Sequence, residues 1–228
     1  MNLIRCAGLT DDECKLYAIA ALRGLSITAE IRDDIVSSGG LDALLHLTHH
    51  DDAALQKEVL ACLCNLSLSG YVGAQAERFV ASTPIASMVN FLCSADATYR
   101  LFGALTLGNV ASKEDAGEEI MGMGALASLV SVANASDAET QRCIAYSLCN
   151  LAATDHHRRA IVTEGGLVPI VALACSEDEG DQLAAHSTLR ALASDALNRV
   201  AIVREGALEA LYESGSRSSD VNVLIEVA

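Results

Sequence analysis

A short pattern returns along the chain at a nearly constant interval, and this limits what it can fold into more than any other feature. Leu63-Cys64-Asn65-Leu66, Leu107-Gly108-Asn109-Val110, Leu148-Cys149-Asn150-Leu151 and Leu189-Arg190-Ala191-Leu192 echo one another, with Leu22-Arg23-Gly24-Leu25 as an earlier copy. Their third residues, at 24, 65, 109, 150 and 191, are spaced by 41, 44, 41 and 41. A second marker keeps phase with the first: Ser38-Gly39-Gly40-Leu41, Met123-Gly124-Ala125-Leu126, Glu164-Gly165-Gly166-Leu167 and Glu205-Gly206-Ala207-Leu208. The second repeat carries Ser82-Thr83-Pro84-Ile85 there instead, and its three extra residues fall near Gly70-Tyr71-Val72-Gly73. A fixed period of this length means stacked supersecondary units, none of which can bury its apolar face alone.

The units read as helical. Hydrophobic residues make up 51% of the chain, with 2 Pro and no Trp, and Ala and Leu recur throughout; a sheet protein would carry more aromatic and β-branched residues. Within one repeat the pattern predicts a short first helix such as Arg32 to Ser38, a glycine break, a second helix such as Leu41 to Thr48, an acidic turn, and a longer third helix such as Ala53 to Leu68. Glycine suits the break because a left-handed residue ends one helix and lets the next leave at an angle. Pro84 and Pro169 fall in the first turn of second helices, where a missing N–H costs nothing. Asp51-Asp52, Asp96, Asp137 and Glu177-Asp178-Glu179 precede the third helices, where carboxylates cap free N–H groups and meet the positive end of the dipole.

Three helices per period, a Gly-Gly-Leu marker and a Leu-x-Asn-Leu marker together resemble the armadillo family, as in importin α, β-catenin and vacuolar armadillo proteins. The resemblance covers nearly the whole chain. It implies an all-α fold, a right-handed α-solenoid of armadillo-type three-helix repeats forming a single domain over residues 1–228. Complete repeats are expected at 28–68, 69–112, 113–153 and 154–194, flanked by partial repeats at 1–27 and 195–228. Asn2-Leu3-Ile4-Arg5 aligns with the tail of a second helix one period before Ala43-Leu44-Leu45-His46, and Val221 to Ala228 with an interrupted third helix. The chain therefore reads as part of a longer array.

In this family the third helices line a concave groove. Residues four and seven before each marker share its face, lying within about 40° of a whole number of turns. The face then presents Tyr17, Ala20 and Gly24; Glu58, Ala61 and Asn65; Phe102, Leu105 and Asn109; Cys143, Tyr146 and Asn150; and Ala184, Ser187 and Ala191. Lys57 and Arg142, eight before a marker, and Arg23 and Arg190, one before, would flank it. Successive Asn side chains can donate to and accept from an extended peptide backbone, with Tyr146, Phe102 and Leu105 holding apolar side chains between them. Alternatively, the Asn residues satisfy carbonyls at helix ends and the aromatics fill gaps between repeats.

Importin α pairs a Trp four residues before the Asn with an acidic residue about four after it. Here those positions read Ala20, Ala61, Leu105, Tyr146 and Ser187, and Thr28, Ser69, Lys113, Thr154 and Asp195, so a nuclear-import receptor is not expected. The flanking basic residues point instead to an extended partner segment of apolar and acidic character. The expected role is a scaffold or adaptor for protein partners. Competing readings are a spacer or assembly module of a cytoskeletal, ciliary or membrane-trafficking complex, and a regulatory solenoid sensing a metabolite.

A net charge of −15 argues against nucleic acid as partner. No stretch reaches the roughly 20 apolar residues of a membrane span. The eight cysteines read as reduced thiols of an intracellular protein, cytoplasmic or nuclear, monomeric or part of a larger complex. His46, His49 and His50 with Asp51 and Asp52 form the densest group of metal-ligand types, read as a solvated turn. Cys62 and Cys64 stand about 200° apart on a helix, which defeats pairing and shared metal binding. His156-His157-Arg158-Arg159 opens a first helix, where exposure is expected. His186, where the preceding repeat has Ala145, is expected to be a hydrogen-bonded core histidine. No phosphate loop or nucleophile elbow is present, so neither catalysis nor a cofactor or metal is expected.

Overall fold

The structure, a computed structural model, describes residues 2–68, 85–112, 116–133 and 137–217. Among them are fifteen helices and no strand. Contacts divide the chain into two compact units, Met1–Lys113 and Glu114–Ala228. The division falls beside the expected repeat boundary after residue 112.

The first unit holds α1 (Asn2–Cys6), α2 (Asp12–Leu25), α3 (Ala29–Ser37), α4 (Gly40–Leu47), α5 (Ala53–Ser67), α6 (Ile85–Leu92) and α7 (Ala97–Ala111). The predicted first, second and third helices of repeat 28–68 correspond to α3, α4 and α5. The third helices α2, α5 and α7 pack side by side in sequence, while α4 backs α5 and α6 backs α7. Leu44, Leu55, Leu60, Leu66, Met88, Leu92 and Leu107 are fully enclosed there.

The second unit holds α8 (Ala116–Gly122), α9 (Ala125–Ala133), α10 (Ala138–Leu151), α11 (Asp155–Thr163), α12 (Leu167–Ala174), α13 (Glu179–Ala193), α14 (Ala196–Arg204) and α15 (Ala207–Arg217). Here α10 packs on α12 and α13, and α12 on α15. Ile120, Leu129, Ile144, Leu148, Ile170 and Leu192 form the core.

The break between first and second helices depends on one backbone conformation. Gly39, Gly124, Gly165 and Gly206 have φ of 83°, 71°, 90° and 86°, the left-handed region that a side chain disfavours. Third helices start on the expected carboxylates: Asp52 accepts from Leu55 N at 2.8 Å, Asp96 from Thr98 N at 2.8 Å, Asp137 from Thr140 N at 3.0 Å and Asp178 from Asp181 N at 3.0 Å. Pro169 lies in the first turn of α12 as expected. Pro84, the Ser82-Thr83 marker, the insertion near residues 70–73 and the predicted helix over 221–228 lie outside the described residues.

Candidate peptide-binding face

The face predicted from the marker phase is the side of each third helix that its own repeat leaves at least partly open. Tyr17 is 66% exposed and Tyr146 48%. Ala20, Glu58, Asn65, Phe102, Leu105, Asn109, Cys143, Asn150, Ala184, Ser187 and Ala191 are half-buried, and Gly24 is exposed. Ala61 is the exception, at 7%. Its methyl group lies between the larger Glu58 and Asn65, so it forms floor rather than contact surface. By contrast Val59, Leu63 and Leu66 of α5, and Ile144, Ala145 and Leu148 of α10, turn fully inward.

Asn65 and Asn109 also connect successive third helices of the first unit. Asn65 Nδ2 donates to the Arg23 carbonyl at 3.3 Å and to Ser26 Oγ at 3.1 Å, where α2 ends. Asn109 Nδ2 donates to Ser67 Oγ at 2.8 Å, where α5 ends. Ser26 and Ser67 are buried, and each stands two residues after its own marker position. Neither was anticipated from the sequence, although a serine recurring at that offset was the available signal. Among the described residues the amide oxygens of Asn65 and Asn109 accept no hydrogen bond. The acceptor half of each amide is thus without a partner among the described residues, and the donor half is wholly engaged at Asn65.

The flanking cations are paired across repeats. Arg23 Nε lies 2.8 Å from Glu58 Oε2, Lys57 Nζ 2.6 Å from Asp96 Oδ2, and Arg142 Nη1 3.6 Å from Asp181 Oδ2. Lys57 also sits over the Tyr99 ring, 5.3 Å from its centroid. The hydrogen bond from Lys57 holds the Asp96 carboxyl below its ordinary value, with Thr98 N–H adding to the effect, and Asp96 in turn raises Lys57. Arg142 has the loosest pair and a half-exposed side chain.

At His156-His157-Arg158-Arg159 the expected exposure holds for His156 and Arg159, and fails at His157 and in part at Arg158. His157 is 2% exposed, its Nδ1–H donating to the Leu151 carbonyl at 3.2 Å while Nε2 lies 3.3 Å from Glu118 Oε1. Arg158 donates to the Ala152 and Ala153 carbonyls, closing the end of α10, and Arg159 pairs with Asp195. Asn198 and Arg199, one period on, repeat the same bonds to Leu192 and Ala193. His157 and Arg158 therefore finish a helix within their own unit. His186 is buried and its Nε2 lies 2.9 Å from Ser214 Oγ, the hydrogen-bonded core position expected of it.

The His46–Asp52 group diverges to separate partners: His50 Nδ1 accepts from Asp52 N at 3.1 Å, His50 Nε2 lies 3.3 Å from Asp12 Oδ1, and His49 Nε2 3.5 Å from Ser87 Oγ. Among the described residues no group of three or more His, Cys, Asp or Glu side chains is placed to hold a metal ion. No single described helix is long and apolar enough to cross a membrane. None of the eight cysteines is in a disulfide.

A family model for the armadillo/beta-catenin-like repeat matches residues 28–68. Among solved structures, an engineered protein is 29% identical, with 99% of this chain and 92% of that chain covered and a TM-score of 0.84. A designed armadillo repeat protein is 18% identical, with 99% and 95% covered and a TM-score of 0.87. A designed armadillo repeat protein in complex with the peptide (KR)4 is 18% identical, with 99% and 95% covered and a TM-score of 0.84. No curated protein matches. The repeat markers, the helices and these likenesses make the chain an armadillo-type repeat solenoid. That fold is typically a non-enzymatic binding scaffold, and designed proteins built on it bind peptides.

Proposed function

We propose that the chain is an intracellular adaptor that holds an extended segment of a partner protein along its third helices, without catalysing a reaction. The observation that carries this reading is the periodic open face. Apart from Ala61, successive third helices keep the marker and the residues four and seven before it at least partly accessible, and among the described residues the amide oxygens of Asn65 and Asn109 have no partner. An extended chain presents N–H groups at regular intervals, which such acceptors match.

Phe102, Leu105 and Tyr146 supply apolar contact. The acidic element of the preference rests on Arg142, since Arg23 and Lys57 are held more tightly by Glu58 and Asp96. Eight cysteines outside any disulfide fit a reducing, cytoplasmic setting.

The test is peptide binding by fluorescence anisotropy with matched apolar-acidic and apolar-basic peptides drawn from a display selection. Tyr146→Ala with Asn150→Ala should weaken binding at least tenfold while leaving the thermal midpoint within a few degrees. Unchanged binding would show that another face is used. Preference for the basic set would remove the acidic element alone.

A further inference from the structure

In the second unit a cavity of about 300 Å³ opens beside the open face, lined by Gln141 and Arg142 of α10 and Val168, Pro169, Ala172 and Leu173 of α12, among others. The first unit contains the same positions with different occupants. By repeat phase Arg142 corresponds to Lys57, Leu173 to Phe91, and Asp181 to Tyr99. In the first unit Phe91 and Tyr99 stack with ring centroids 5.6 Å apart, and Lys57 covers the Tyr99 ring. Leu173 in place of Phe91 leaves the cavity without that ring, and Asp181 in place of Tyr99 gives Arg142 a carboxylate at 3.6 Å where Lys57 has a ring.

The first unit thus shows what fits this position: an aromatic ring on an apolar floor, capped by a cation. Such ring pairs and cation–ring contacts favour offset stacking and close approach of the cation to the ring face. The second unit has an apolar floor in Pro169 and Leu173, where the first unit has Ser87 and Phe91, and keeps a cation in Arg142, while Val168 at 45% exposure leaves the mouth open. Arg142 belongs both to the cavity wall and to the edge of the α10 face, so a segment lying on α10 reaches the cavity with one side chain.

We propose that this cavity is a specificity pocket for one aromatic side chain of the bound partner segment, which supplies beside Arg142 a ring of the kind that the first unit provides internally. The inference rests on the peptide-binding reading and adds the residue class that the partner must contribute.

The experiment uses the whole chain and two probes. The first is 4-methylphenol, titrated against methyl-labelled protein and followed by NMR. Saturable shifts at the Val168 and Leu173 methyls are expected, and loss of the Val168 shifts in Leu173→Phe with Asp181→Tyr, which rebuilds the internal pair. The single variant Ala172→Leu, altering the exposed rim, provides an independent block. Absence of shifts in the unmodified chain, or persistence in both variants, overturns the pocket.

The second probe is a random peptide display library. Selected peptides should carry an aromatic residue at a fixed place and lose at least tenfold affinity in the filled variants. Peptides that lack the aromatic, or bind the filled variants equally well, overturn the inference and leave the scaffold reading intact. A library yielding no binder overturns the scaffold reading and with it the partner-derived ring.

Discussion

At the residue scale, burial separates side chains that the sequence leaves alike. Burial pushes the Cys62 thiol up to about 12, and Cys143 and Cys149 up to about 11, because a thiolate loses its hydration there. Cys14, Cys93 and Cys175 are exposed. Alkylation at pH 8, followed by mass spectrometry, should therefore modify those three while Cys62 and Cys149 stay unlabelled until the chain unfolds. Rapid labelling of Cys62 in the folded protein would contradict the enclosed position described for it. The continuous apolar run around Cys62 and Cys64 made their burial legible, on a helix covered on both sides. Periodicity could not show His157 inside, because a row of His and Arg looks like a solvated helix start. Only alignment with Asn198 and Arg199, which make the same bonds one period later, carries that information.

At the element scale, the left-handed glycines and the capping carboxylates decide where each helix begins. Gly165→Ala should cost about 1 kcal/mol, the usual penalty of a side chain at positive φ, read from urea unfolding. Gly103→Ala should destabilise for a different reason: a Cβ there would lie 2.7 Å from Leu92 N and 2.9 Å from Met88 O, so α6 and α7 would have to separate. If either variant matches the parent, the corresponding account fails. Helix starts were legible because cap, glycine and aspartate act within a few residues of one another. The pairing of Arg23, Lys57 and Arg142 was not, because each partner lies most of a repeat further along, and a charge at a groove edge reads as available until that neighbour is placed.

At the scale of the molecule, those long-separated pairs make stability depend on acid. Lys57 holds the Asp96 carboxyl, and Arg159 the Asp195 carboxyl, below the ordinary value of 3.8, with backbone N–H groups assisting. A carboxyl whose value is lowered on folding stabilises the native state above its unfolded value, and the contribution is lost as pH falls through the lowered one. Urea midpoints should therefore drop as pH falls below about 4. Asp96→Asn keeps a capping oxygen but removes the charge, so its difference from the parent should be present at pH 7 and vanish near pH 2. An equal difference at both would refute the ion-pair contribution. The bond from Asn109 to Ser67 has a consequence for how such a chain can change over time. It joins α7 to α5 as Asn65 joins α5 to α2, although the markers stand 44 residues apart in one case and 41 in the other. Added length between third helices leaves this joint intact, so duplications and small insertions in the connecting segments can accumulate while the open face stays in frame.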